Sequence, residues 1–512
     1  MTENQPADAV AEETAVLDKR VPSGIAGLDT ILFGGFLQGG LYIIQGPPGT
    51  GKTTLGNQIC FHHATGNGKA LYVTLLAEYH VRMMQHLQNM AFFDGTQIPD
   101  QISYLNGLQV LHAAGLKGLI DMLRREITSR GTTVLVLDGI VAAHRVAADD
   151  QTFNEFVHTL QAIAIASECT MFMLASADGV QVTPEHTMVD GIVELSNQLV
   201  GWAAESTLRV MKFRGSAFLR GRHAFKITGD GLVVHPRLEA LLARPSRLPS
   251  PARPDEETGG RVSSGIAQLD VMLGGGLPDG STTMVLGPSG SGKTTLGLQF
   301  LAGCSAAMPG LLFGFYETPP RLRAKIAGVC PELGELIDSG AVEIEWQPPI
   351  DDLLDAYAER LLACVHRRKV KRLFIDGLGA LRQAALSEPN RIGNFLTALM
   401  NELRVLGVTT LYTLEVPDIM GPSVRTPLGG DLASLAENLV LLRFVELYSQ
   451  LHRLISVLKV RDSQFDSSLH EYVTSDRGLL IDQSSDKAQR LAMGYAGLTR
   501  PGDPQPRDRG DI

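Results

Sequence analysis

The sequence predicts an α/β protein built as two tandem domains, each a mostly parallel, twisted sheet with helices on both faces. The first observation is an internal repeat. Residues 21–58 read VPSGIAGLDTILFGGFLQGGLYIIQGPPGTGKTTLGNQ, and residues 262–299 read VSSGIAQLDVMLGGGLPDGSTTMVLGPSGSGKTTLGLQ, aligning without a gap at an offset of 241 (262 − 21). A unit of that length is a duplicated domain rather than a solenoid repeat. The second observation is the alternation of short apolar, β-rich runs with helical stretches. LYIIQ, ALYVTLL, TVLVLD and TMFMLAS are the runs of the first copy, and TMVLG, LLFGFY, RLFID and TTLYTL those of the second. Continuous apolar strands separated by helices imply parallel strands covered on both faces.

Composition sets the boundaries. Apolar residues make up 44% of the 512 and charged residues 20%, enough for large buried cores. Residues 243–260, ARPSRLPSPARPDEETGG, carry almost nothing apolar and read as a linker. Residues 1–18 and 496–512 read as disordered for the same reason, which leaves 19–242 and 261–495 as the two domains. The net charge of −10 argues against bulk electrostatic wrapping of nucleic acid. Five cysteines without CxxC spacing, an acidic N-terminus without an apolar leader and no membrane-length apolar run predict a cytoplasmic protein.

The chemistry lies first in GPPGTGKT (46–53) and GPSGSGKT (287–294), each between a strand and a helix, both satisfying G-x-x-x-x-G-K-[ST]. Glycines at Gly46, Gly49 and Gly51, and at Gly287, Gly290 and Gly292, let backbone N–H groups turn inward around a phosphate. Thr50 and Ser291 complete the loops, and Thr54 and Thr295 open the helices behind them. Lys52 and Lys293 are placed to reach β- and γ-phosphate oxygens of ATP, and Thr53 and Thr294 to put a hydroxyl on Mg²⁺. An apolar strand ending in aspartate should complete each metal site. TVLVLD ends in Asp138 and RLFID in Asp376, at 86 (138 − 52) and 83 (376 − 293) residues past the lysines. Hydrolysis also needs a carboxylate to polarise water. Glu78 in the first copy and Glu317 in the second follow the intervening strand, 26 (78 − 52) and 24 (317 − 293) residues past their lysines.

These motifs resemble the KaiC family of tandem RecA-like clock ATPases, and the resemblance runs from about Val21 to Arg500. The openings V-x-S-G-I-x-x-L-D carry it, as do KFRGSAFLRGRHAFKIT from Lys212 and KVRDSQFDSSLHEYVTS from Lys459. By that resemblance Lys212 and Arg214, and Lys459 and Arg461, project across a subunit boundary onto the neighbour's γ-phosphate. Strand alternation puts both cations of a pair on one face, as a clamp for developing charge. The resemblance also implies a homo-hexamer of two stacked rings, a first ring that leads in hydrolysis through Glu78, a Ser/Thr autokinase in the second ring, and a KaiB-like or other signalling partner.

Three departures stand out. Where the family has two adjacent glutamates, the copies read Leu-Leu-Ala-Glu78 and Phe-Tyr-Glu317-Thr. At the family's phosphosites stand Leu428, Ala433 and Ser434, so Ser434 is the surviving acceptor, with Ser423 and Thr426 as substitutes. The acidic, Pro-rich tail has no clear adaptor-binding segment. Two other readings share the fold: a RecA/RadA- or DnaB-like DNA-processing ATPase, and a weakly hydrolysing nucleotide-dependent scaffold. The first needs basic channel loops. The candidate loops around His186 and Arg425 hold one basic residue each.

Overall fold

The computed structural model describes residues 19–76, 80–176, 185–200, 203–243, 260–350, 353–386, 388–416, 436–447, 450–461 and 463–484. Glu78, Ser423, Arg425, Thr426, Leu428, Ala433, Ser434, both termini and nearly all of the expected linker lie outside them. The chain divides into two compact units between Leu241 and Leu242.

In the first unit, β1 (Arg20–Val21) and β2 (Phe36–Leu37) form a short antiparallel pair. A nine-stranded sheet follows: β3 (Leu41–Gly46), β4 (Ala70–Thr74), β5 (Ile102–Asn106), β6 (Val134–Asp138), β7 (Thr170–Ser176), β8 (Gly191–Val200), β9 (Ala203–Phe213), β10 (Arg222–Thr228) and β11 (Gly231–His235). Its order is β11-β10-β9-β8-β3-β7-β6-β4-β5. The strands from β8 to β5 in that order pair in parallel, and β9, β10 and β11 add an antiparallel flank.

The second unit repeats the plan. β12 (Arg261–Val262) pairs with β13 (Leu277–Pro278). The large sheet holds β14 (Thr282–Gly287), β15 (Gly310–Gly314), β16 (Val342–Trp346), β17 (Arg372–Asp376), β18 (Thr409–Glu415), β19 (Asn438–Leu447), β20 (Gln450–Val460), β21 (His470–Ser475) and β22 (Gly478–Ile481). Its order is β16-β15-β17-β18-β14-β19-β20-β21-β22. Each unit is therefore the mostly parallel α/β sheet that the sequence predicts. The apolar runs of the sequence are the central strands. The outer strands lacked that signal: β16 (VEIEW) alternates apolar residues with the partly buried Glu343 and Glu345, and the apolar run of β5 (ISYLN) is broken by Ser103 and ends in the exposed Asn106.

Two-sided burial accounts for the apolar runs. Along β3, Tyr42 and Ile44 pack into one cluster with Leu55, Ile59 and Phe61 of the helix Lys52–Thr65. Leu41 and Ile43 pack into the other cluster, with Leu119 and Leu123 of the helix Leu108–Arg130 and Phe156 and Leu160 of the helix Asp150–Ser167. Asp149 starts that last helix, its carboxylate accepting from Thr152 N at 2.7 Å.

The repeated opening motif is a structural clip. Asp29 Oδ1 accepts from Ser23 N at 2.7 Å, and Asp270 Oδ1 from Ser264 N at 2.7 Å. The serine hydroxyls accept from Ile25 N and Ile266 N at 3.1 and 3.3 Å. The glycine between is required: Gly24 and Gly265 have φ of 78° and 83°. A Cβ on Gly265 would lie 2.1 Å from the carbonyl oxygen of Gln299. The glutamine that ends each repeated segment has an equally definite role. Gln58 Oε1 accepts from Leu232 N, and Gln299 Oε1 from Leu479 N, both at 2.9 Å, tying the loop-bearing helix to the far antiparallel flank. Among the described residues no helix is long and apolar enough to cross a membrane.

The left-handed backbone and the clash with backbone at Gly265 generate a stability prediction. Gly265→Ala should lower the unfolding free energy by about 2 kcal/mol or more, from αL strain and overpacking together. Urea unfolding reads this directly, and an unchanged midpoint would show that the turn relaxes without cost.

Candidate functional site

Polar side chains gather at the carboxyl ends of the parallel strands, where an open α/β sheet places its ligands. β3 and β14 run straight into the glycine-rich loops. Gly49 and Gly51 take φ of 80° and 92°, and Gly290 and Gly292 take 76° and 91°, the left-handed conformations the motif demands. Lys52 Nζ donates to Gly46 O and Pro47 O at 2.7 and 2.8 Å. Lys293 Nζ donates to Gly287 O and Pro288 O at 2.9 and 2.7 Å. Burial holds the Lys293 ammonium below its ordinary range, and the nearby carboxylates of Glu415 and Asp376 oppose that shift. Tyr472, from β21, donates its hydroxyl to Ser291 O at 2.5 Å and braces the second loop.

The threonine after each lysine meets the aspartate that ends the next-but-one strand. Thr53 Oγ1 donates to Asp138 Oδ2 at 3.2 Å, and Thr294 Oγ1 to Asp376 Oδ2 at 2.8 Å. Both aspartates have a further hydroxyl partner, supplied from opposite sides. Tyr72 of β4 donates to Asp138 Oδ2 at 2.5 Å, whereas Thr413 of β18 donates to Asp376 Oδ1 at 2.7 Å. Burial raises the Asp376 carboxyl above its ordinary range. Thr413 and Thr294 oppose the rise, and the Glu317 charge adds to it.

In the second unit these groups line one cavity of about 320 Å³, with Ser289, Thr295, Tyr316, Glu317, Lys325 and Glu415. That is the size range of small-molecule sites. Glu317 Oε1 is paired with Lys325 Nζ at 2.6 Å. Glu317 stands three residues past Gly314, the residue opposite Asp376. Glu78, outside the described residues, stands four past Thr74, the residue opposite Asp138, so the two glutamates are out of register by one.

The late basic pairs sit elsewhere. Lys212 Nζ and Arg214 Nη2 both donate to Thr187 O, at 2.9 and 2.6 Å. Lys459 Nζ donates to Ala436 O at 2.8 Å. Neither Lys459 nor Arg461 lines the cavity of its own unit. Simple alternation does not put them where they are. Leu208 and Val210 face the core, and continued alternation would bury Lys212. A β-bulge intervenes: Ile192 stands opposite Lys212, but Val193 opposite Val210, leaving Met211 extra. Phe213 then takes the core position, and Lys212 and Arg214 turn away from it. β20 does the same, with Leu439 opposite Lys459 and Val440 opposite Val457. Leu458 is extra and Val460 is in the core. Sequence reasoning also missed Tyr72, Thr413, Lys325 and Glu415. The only signal for Glu415 was its place at the end of an apolar run, where a carboxylate reads as a turn residue.

A duplicated strand–glycine loop–helix, with lysine and threonine facing a strand-end aspartate, defines a protein with two tandem P-loop nucleotide-binding domains. The chain belongs to the KaiC ATPase family: the family's domain model matches residues 21–239 and again 262–486. Among curated relatives, the circadian clock oscillator protein KaiC of a Picosynechococcus species is 25% identical over 492 residues, covering 93% of this chain and 92% of the relative. The KaiC of Thermostichus vulcanus is 25% identical over 497 residues, covering 94% and 93%. The circadian clock oscillator protein KaiC 1 of a Synechocystis species is 24% identical over 491 residues, covering 93% and 91%.

Proposed function

We propose that this chain is an ATP-hydrolysing signalling or timing protein that binds ATP with Mg²⁺ in both units and carries Ser/Thr autokinase activity in the second. The observation that carries the reading is the twofold occurrence of one constellation: lysine inside the glycine loop, and threonine hydroxyl on a buried strand-end aspartate. A hydroxyl and a carboxylate converging from two strand ends are hard oxygen donors that suit Mg²⁺. Thr53 with Asp138, and Thr294 with Asp376, would hold it. Bound there, the ion neutralises charge on the β- and γ-phosphates. Gly49 to Gly51 and Gly290 to Gly292 offer backbone N–H groups to the phosphates, and Lys52 and Lys293 exchange loop carbonyls for phosphate oxygens. Lys52→Ala with Lys293→Ala should abolish Mg²⁺-dependent ATP binding by calorimetry, and normal binding would refute the assignment.

A homo-hexamer is part of the same reading. Lys459 and Arg461 stand away from their own unit's cavity on a strand turned outward by a bulge, which suits a role on a neighbour's nucleotide. Light scattering at saturating ATP should show a hexamer, and a lone monomer peak would sink the ring. A KaiB-like or other signalling protein is the partner class that family membership suggests.

Ser434 is the proposed phosphoacceptor, with Glu317 as the base that takes its proton; the partner hydroxyl of the family is replaced by Ala433. A phosphate there adds nearly two negative charges at a subunit boundary, enough to alter ring stability or partner affinity. Mass spectrometry after incubation with ATP should find phosphate on Ser434, and none in Glu317→Gln. If no residue from Ser423 to Ser434 is modified, the autokinase reading fails and the ATPase reading stands.

A further inference from the structure

The second cavity contains a carboxylate that neither motif accounts for. Glu415 ends β18, the strand between the glycine-loop strand β14 and the Asp376 strand β17, and its backbone stands opposite Gly287, the first residue of the loop. Its side chain lines the cavity with Lys293, Thr294, Asp376 and Glu317. Glu317 has one oxygen taken by Lys325 at 2.6 Å. Among the described residues, no hydrogen bond or ion pair takes up the Glu415 carboxylate. Its charge, like that of Asp376, opposes the burial that lowers the Lys293 ammonium. In the first unit the residue at the corresponding level, opposite Gly46, is Ser176, which carries no charge.

We infer that Glu415 is a catalytic carboxylate of the second nucleotide site, facing the γ-phosphate and accepting the proton of the attacking water. The inference rests on the ATP-binding reading above. Geometry supports it over a structural role. A strand tip beside the glycine loop and the metal-site aspartate is where the γ-phosphate end of a nucleotide must lie. A carboxylate with no partner there among the described residues holds no local structure together. In the step, the water oxygen bonds to the γ-phosphorus. The bond from that phosphorus to the β–γ bridging oxygen breaks, and its electron pair leaves with ADP. The water proton passes to the Glu415 carboxylate and from there to solvent, and inorganic phosphate is released. Glu317, held by Lys325, remains the base assigned to a hydroxyl acceptor.

The charge gives this role a double signature. A carboxylate beside a triphosphate repels it, so removing the charge should tighten binding while slowing hydrolysis. The test uses the full chain carrying Lys52→Ala, so that only the second site binds MgATP. In that background Glu415→Gln should raise MgATP affinity several-fold by calorimetry and lower kcat by about tenfold or more. Glu415→Ser, which installs the first unit's residue, should do the same and guards against an effect peculiar to glutamine. Tighter binding together with slower turnover in both variants supports the inference. Any other combination overturns it, including loss of binding and turnover together, which would mark Glu415 as structural. If the Lys52→Ala parent itself does not bind MgATP, the second-site reading has failed and takes the inference with it. If the parent binds and hydrolyses while the Glu415 variants match it, only the inference fails.

Discussion

Burial of the central parallel strands on both faces is the constraint on which everything else in each unit depends. Every residue of β3 and of β14 is buried, and β4, β6 and β15, further along the two sheets, are covered as completely. Strands enclosed in this way cannot carry charge along their length. Polar groups are therefore pushed to the strand tips, where the ladder sets their level. Gly46 pairs with Ser176, Asp138 with Thr74, Gly287 with Glu415 and Asp376 with Gly314. The site is a consequence of this levelling: loop, strand-end aspartate and acidic residues arrive at one edge because their strands end together.

The same enclosure makes the site costly to hold. Burial raises the Asp376 carboxyl and lowers the Lys293 ammonium, so each charged form is disfavoured by its surroundings. Hydroxyl donors offset the cost. The two units find theirs differently, with Tyr72 reaching Asp138 from one side of its strand and Thr413 reaching Asp376 from the other. Duplication preserved the requirement for a second donor but not the residue that meets it. Another difference changes the chemistry itself. Glu415 stands where the first unit has Ser176.

Much of this was legible in the amino-acid order. Glycine at a left-handed position, lysine and threonine beyond it, and an aspartate closing an apolar strand are local signals, since each rests on backbone geometry within a few residues. The duplication made them stronger, because two copies in register exclude chance. The opening motif and the terminal glutamine of each repeat were visible as repetition, but not as function. Only the fold shows that Asp29 and Asp270 clip a turn, and that Gln58 and Gln299 bond to a strand some 170 to 180 residues away in the chain.

The sequence by itself determined the family, the two parallel α/β sheets and the phosphate loops, because two-sided burial and tight glycine turns leave periodic, short-range marks. Tertiary structure alone decided the direction of the late basic pairs and the membership of the second cavity. Alternation read from Val210 or Val457 would bury Lys212 or Lys459. One extra residue, Met211 or Leu458, reverses the face, and a bulge exists only once a partner strand supplies the register. Glu415 likewise joins the site through its pairing with Gly287, 128 residues (415 − 287) earlier in the chain, a relation that no local pattern records.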